Sequence, residues 1–164
     1  MNRMLWSMIA GAAGASALTF IHQAARSMTP HAPRMDVLGM RAVRATHRRL
    51  GLPAGTAREV EREALAGDIV ANAAYYSLVG AGDRAMVWSR GLALGLAAGL
   101  GAVFLPRRLG LGDPPNAARL DTQLMTVAWY LAGGLVAAGA FAARDASAGP
   151  PEAPRRAEDG AKVQ

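Results

Sequence analysis

Asp68, Asn72, Tyr75 and Tyr76 stand at i, i+4, i+7 and i+8, which sets a carboxylate, an amide and two phenols along one helical face. The segment carrying them, about residues 64–82, is otherwise apolar. A carboxylate in such a helix can carry a proton, contact an ion, or fix helix register by hydrogen bonding. At bilayer depth its charge costs a few kcal/mol even on insertion scales, so it must face the bundle interior, reach the interface or be protonated.

The groups able to meet it follow from topology. If apolar stretches alternate in direction, the end of the first, the start of the second and the start of the fourth share one membrane face. Thr19, His22, Gln23 and Arg26 then lie at the depth of Asp68 and Asn72. So do Gln123 and Thr126, which continue to Tyr130 on one face of the last stretch. The expected polar intramembrane layer is therefore His22, Gln23, Asp68, Asn72, Tyr75, Gln123 and Thr126, with His22, Arg26 or Gln123 as partners for a buried Asp68. Two roles compete for this layer: hydrogen bonding that holds helices together, and a polar site for proton transfer, ion transfer or a small ligand.

Other chemistry finds little support. There is no Gly-rich loop ending in Lys-Ser/Thr, no Gly-x-Ser-x-Gly elbow and no His-Glu-x-x-His pair. His22, His31 and His47 are widely spaced, a poor metal set. Cysteine is absent, which removes disulfides, zinc thiolates and thiol nucleophiles. One carboxylate and one histidine are placed for acid–base work. We therefore expect no enzyme activity, no cofactor and no metal.

The elements that position the layer are apolar blocks. Over 164 residues the chain is 52% hydrophobic with 18% charged residues, and its mean hydropathy is +0.14, so apolar residues are segregated rather than spread through a soluble core. Four spans are expected, at about 4–22, 64–82, 88–105 and 122–143, each long enough for ~30 Å of hydrocarbon. The first could instead be a cleaved signal peptide with Ala15-Ser16-Ala17 at its cleavage site. One arginine precedes it, and apolar character continues through Leu18, Phe20 and Ile21, which favours a retained helix. The fold class is an all-α, integral membrane four-helix bundle over residues 1–146, followed by a disordered tail at 147–164 rich in Pro, Ala, Glu and Arg.

Gly91, Gly95 and Gly99 are spaced by four within the uncharged run 91–105, and Gly133 lies among the alanines of the last span. Each interior Gly costs a helix in water roughly 0.8–1 kcal/mol against Ala. In lipid the backbone has no other hydrogen-bond partners, and the glycine face, a glycine zipper, admits a second helix to close contact. These four are the expected helix-packing residues, within the chain or between copies.

Between the first two spans, Met35–Leu50 winds into a helix that gathers Arg34, Arg41, Arg44 and Arg48 within roughly 80°, opposite Met35, Leu38, Ala42 and Val43. Such a basic amphipathic helix lies in the headgroup region, its four arginines on anionic lipid. Thr56 and Glu59 form a capping-box pattern that starts the next helix.

The net charge of +6 is almost entirely arginine, placed between apolar blocks, and points to topology and lipid contacts rather than nucleic acid. Basic residues concentrate in loops 23–63 and 106–121, making that side cytoplasmic in a bacterial inner membrane with both termini outside. In composition the chain resembles the small multi-pass membrane proteins of arginine- and alanine-rich bacterial genomes. The expected function is a scaffold or accessory subunit working through helix, lipid and partner or homo-oligomer contacts. The alternative is a small transporter or channel subunit using Asp68.

Overall fold

The computed structural model describes residues 2–147, with side chains as far as Ala143. Five α-helices account for nearly all of it: α1 (Arg3–Met28), α2 (Met35–Leu50), α3 (Ala57–Ser77), α4 (Val87–Arg108) and α5 (Leu120–Ser147). Helix α5 lies between α4 and α1, α1 lies between α5 and α3, and α2 packs on α3. The core is Leu18, Tyr76, Val79, Val87, Tyr130 and Phe141, filled in by Ala10, Ala137 and Ala138.

Local chemistry explains the boundaries. The Asn2 side chain accepts from the Met4 N–H at the start of α1. Gly51, at φ 66, closes α2 in the left-handed region that glycine adopts without penalty. At α3 the expected capping box forms: Thr56 N–H donates to Glu59 Oε2 at 2.7 Å, and Glu59 N–H donates to Thr56 Oγ1 at 3.3 Å. The bond donated by the Thr56 backbone N–H helps hold the Glu59 carboxyl below its ordinary value.

The α4–α5 seam is built on glycine. A Cβ on Gly95 would stand 2.7 Å from the Leu131 Cα, one on Gly99 2.8 Å from the Val127 Cα, and one on Gly91 2.6 Å from the Gly134 carbonyl oxygen. The glycine row is thus consumed inside the chain, against α5. Gly133 faces the other way, where its missing Cβ leaves room for the Tyr76 ring.

Each end of the bundle is tied by arginine. At one end Arg3 donates to the Gly80 carbonyl at 2.9 Å and to that of Gly82, while Arg90 donates to Val79 at 2.6 Å and Asp83 at 2.8 Å. At the other, Arg41 donates to the carbonyls of Leu111 (3.0 Å) and Asp113 (2.8 Å), Asn116 to Pro30 (3.0 Å), and Thr122 to His31 (2.9 Å). The segments 29–41 and 109–122 therefore share one end, and the 78–83 turn lies at the opposite one.

Three helices are long and apolar enough to cross a membrane: Arg3–Met28, the stretch Arg84–Arg108, and Leu120–Ala143. Helix α3 is not among them. Its first turns carry Arg58, Glu59, Glu61, Arg62 and Glu63, and its apolar half is diluted by Asp68 and Asn72. The α-helix also stops at Ser77, so the end of the expected stretch 64–82 passes into a 3-10 turn at Leu78–Gly80. Helices α1, α4 and α5 exceed the expected spans by a few residues at one or both ends, α4 reaching Arg108 with Pro106 in its last turn. Helix α5 reaches Ser147, the first residue of the expected disordered tail, and the rest of that tail lies outside the described residues.

Candidate functional site

Helices α1, α2 and α3 diverge where the chain leaves α1, and a cavity of about 80 Å³ opens between them. Its polar lining comes from Thr19, His22, Gln23 and Arg26 on α1, Asp36 on α2, and Glu61 and Asp68 on α3. The volume exceeds the ~10–15 Å³ needed for one water several-fold. Asp68 also borders a second, wider groove of about 320 Å³ between α2, α3 and α4, walled by Leu38, Val43, Ala71 and Ala102.

Among the described residues the Asp68 carboxylate has one hydrogen-bond partner, and it is local. Asn72, one turn on, donates to Asp68 Oδ1 and to the Asp68 carbonyl, both at 2.9 Å. None of the expected cross-helix partners reaches it. Arg26 pairs with Asp36 at 3.3 Å and donates to Gln23 Oε1 at 3.3 Å. Gln123 donates to the Ala117 carbonyl at 2.8 Å, and Thr126 to the Thr122 carbonyl of its own helix at 2.8 Å. His22 borders the same cavity with no carboxylate of the described residues in ion-pair range. Its ring meets Trp129 and Tyr130 edge-on, at centroid distances of 5.2 and 5.9 Å.

The polar layer therefore divides. His22, Gln23 and Asp68 meet at the cavity, and Asn72 supports Asp68 from behind. Tyr75 leaves the layer to donate to the Leu94 carbonyl of α4 at 3.0 Å, and fully buried Tyr76 donates to the Tyr130 carbonyl of α5 at 2.8 Å. Both phenols act as cross-helix ties, using the second lone pair of a carbonyl already bonded in its own helix.

The arginines of α2 divide as well. Arg34 grips Asp36 through two nitrogens, at 2.9 and 2.8 Å. Arg41 is spent on the 111–113 carbonyls, whereas Arg44 and Arg48 are exposed beside a cleft floored by Gly110 and Leu111. The apolar side of α2 rests on α3, where Gly39 lets Ala64 approach. Of the four arginines, Arg44 and Arg48 are exposed, while Arg34 and Arg41 make bonds within the protein.

Two residues escaped the reading of the sequence. Asp36 is a hub for Arg26 and Arg34. Burial pushes its carboxyl up, but the Arg34 hydrogen bonds and the two guanidinium charges outweigh this and hold it below its ordinary value of 3.8. An acid in the first turn of a helix, two residues after an arginine, was the available signal. His47 joins α2 to α3, with Nε2 2.8 Å from Glu63 and Nδ1 3.0 Å from the Pro53 carbonyl. Among the described residues, no group of three or more His, Asp and Glu stands close enough to hold a metal ion.

No family model matches the chain, and neither does any curated protein or solved structure.

Proposed function

We propose that this chain is a small integral membrane protein with four spans, α3 being the fourth, and that it works by contact as a scaffold or accessory subunit. The observation that carries this reading is the outer surface of the bundle. Met8, Phe20, Leu92, Leu96, Leu100, Phe104 and Leu124 are all exposed, on the three helices apolar enough to span. A soluble domain rarely leaves so large an apolar surface uncovered, and lipid or a partner helix covers it at no cost. Helix α3 joins the spans on this reading because it packs along α1 and gives buried Tyr76 to the core. The backbone contact between α4 and α5 leaves no room for a water path along that seam.

The side bearing loops 23–63 and 106–121 is then cytoplasmic in a bacterial inner membrane, by its excess of arginine. Exposed Arg44 and Arg48 meet anionic headgroups there. The test is purification from native membranes in mild detergent. A stoichiometric partner or a defined homo-oligomer is expected, and a folded monomer in buffer without detergent overturns the reading.

A second reading is favoured by the cavity at Asp68: a transporter or channel subunit moving protons or a small solute. Liposomes decide it. Flux that disappears in Asp68→Asn with folding intact supports it, and wild-type liposomes without flux reject it.

A further inference from the structure

Helices α3 and α4 barely touch, and the groove of about 320 Å³ lies in the gap between them, with α2 alongside. Its apolar walls include Leu38 and Ala42 of α2, Gly67 and Ala71 of α3, and Ala102 of α4. A Cβ on Gly67 would meet nothing within 4 Å, so the α3 wall faces open space at that point. One turn beyond Ala71, Tyr75 joins α3 to α4 through the Leu94 carbonyl. The two helices are thus tied deep in the bundle and parted toward Leu111. Glu63 and Asp68 also border the groove, and each already has a partner, His47 and Asn72 respectively.

The groove continues into a basic cleft. Leu38, Ala42 and Ala45 follow one another along α2 at i, i+4 and i+7; the first two line the groove and the third lines the cleft, of about 160 Å³. Leu111 lines both. The rest of the cleft is Arg41, Arg44, Arg48 and Gly110, three cations with no carboxylate among the described lining residues. Arg41 is held by the Leu111 and Asp113 carbonyls, which fixes the cleft floor against α2. Arg44 and Arg48 are exposed, and neither makes a hydrogen bond or ion pair with a described residue.

We propose that the joined groove and cleft hold one anionic phospholipid, its phosphate on Arg44 and Arg48 and one acyl chain between α3 and α4. This rests on the membrane reading above and gives its general headgroup contact a single bound lipid. A guanidinium pairs with phosphate oxygens through two N–H donors at once. An acyl chain gains little by exchanging other chains for an apolar protein wall, so the charge of the head decides which lipid is held. A zwitterionic lipid brings its own ammonium to a cleft that already carries three cations. A free phosphate answers the arginines and leaves the groove empty.

The test uses the full-length protein in mild detergent, stripped of native lipid, with native mass spectrometry to count bound lipids. Phosphatidylglycerol and phosphatidylcholine with the same chains are titrated in turn, with excess glycerol 3-phosphate as a competitor lacking chains. One phosphatidylglycerol per chain is expected at saturation, with phosphatidylcholine about tenfold or more weaker and no displacement by glycerol 3-phosphate. Arg44→Gln with Arg48→Gln should weaken phosphatidylglycerol about tenfold or more. Arg58→Gln with Arg62→Gln removes the same charge from exposed positions at the same end and should leave it unchanged. Gly67→Leu places a side chain in the open groove and should weaken binding several-fold; Ala71→Leu, on the same wall, stands in if Gly67→Leu fails to fold by circular dichroism. No saturable site, equal affinity for phosphatidylcholine, displacement by glycerol 3-phosphate, or unchanged affinity in a folded arginine or groove variant overturns the proposal. So does lipid excluded from a dimer, which assigns the groove to a second copy. A chain that folds in buffer without detergent fails the membrane reading before any lipid is added, whereas detergent-dependent protein that binds no lipid fails this proposal alone.

Discussion

The α4–α5 seam and the junction of α1, α2 and α3 use opposite means of holding helices. At the seam, Gly91, Gly95 and Gly99 bring the two backbones together with no side chain between them. At the junction, Gly39 still lets α2 approach Ala64, but the three helices leave a gap lined by Thr19, His22, Asp36 and Asp68. The seam derives its cohesion from close packing, which tolerates no added volume. The junction holds by ion pairs, leaving polar atoms unpaired, and has space to spare. Close packing and open space are thereby separated within one small bundle.

The contrast is severe enough to test by adding atoms. Gly95→Leu at the seam drives a Cβ into the Leu131 backbone, which neither helix can yield. We expect destabilisation of about 3 kcal/mol or more in detergent unfolding, the upper range of overpacking. Gly39→Ala, where the nearest atom is the Ala64 Cβ at 3.2 Å, should cost far less, because α2 can shift by a few tenths of an ångström. Equal costs at the two positions would erase the distinction.

Removing a single oxygen gives a smaller contrast. Tyr76→Phe deletes the bond to the Tyr130 carbonyl and should cost about 0.6–2 kcal/mol, measured by the same unfolding. Thr19→Val deletes a hydroxyl that has no partner, so stability should be unchanged or raised by up to about 1 kcal/mol.

Acid offers the mildest perturbation, and it acts at the junction. The Asp36 carboxyl titrates below its ordinary 3.8 in the folded state, so its contribution is complete above that value and is lost as pH falls through the lower folded value. As pH falls through that lower value the ties from Asp36 to Arg26 and Arg34 should weaken, loosening α2 from α1 while the glycine seam holds. Asp36→Asn should abolish this acid step, detected as limited proteolysis near Pro30–Arg34; an unchanged step places its origin elsewhere.

How far the sequence discloses this contrast depends on the range of each interaction. The glycine row, the capping box at Thr56 and the bounds of α2 are set by periodicity and by neighbours within four residues, and each is recognisable in the linear chain. The shared depth of His22, Gln23 and Asp68 follows from alternating helix direction, and the cavity brings them together. The partners of each polar group do not follow. Asp68 finds Asn72 on its own helix, and Gln123 turns back to Ala117, because local partners cost less entropy to reach than distant ones. The tie from Arg41 to the 111–113 carbonyls spans seventy residues, and no pattern at either end foretells it. Helix α3 stays ambiguous as a span because Asp68, Asn72 and its charged first turns lower its apolar character while its packing places it inside the bundle.

The sidedness of three single cysteines decides whether α3 crosses, and the absence of native cysteine makes the experiment clean. Thr46→Cys, Ala81→Cys and Ala118→Cys lie at exposed positions in or beside the successive connections. Probed with a membrane-impermeant maleimide in sealed, oriented vesicles, Cys at 46 and 118 should label from the same side and Cys at 81 from the opposite one. Labelling of 46 and 81 together, with 118 opposite, would mean three crossings and would contradict the four-span bundle.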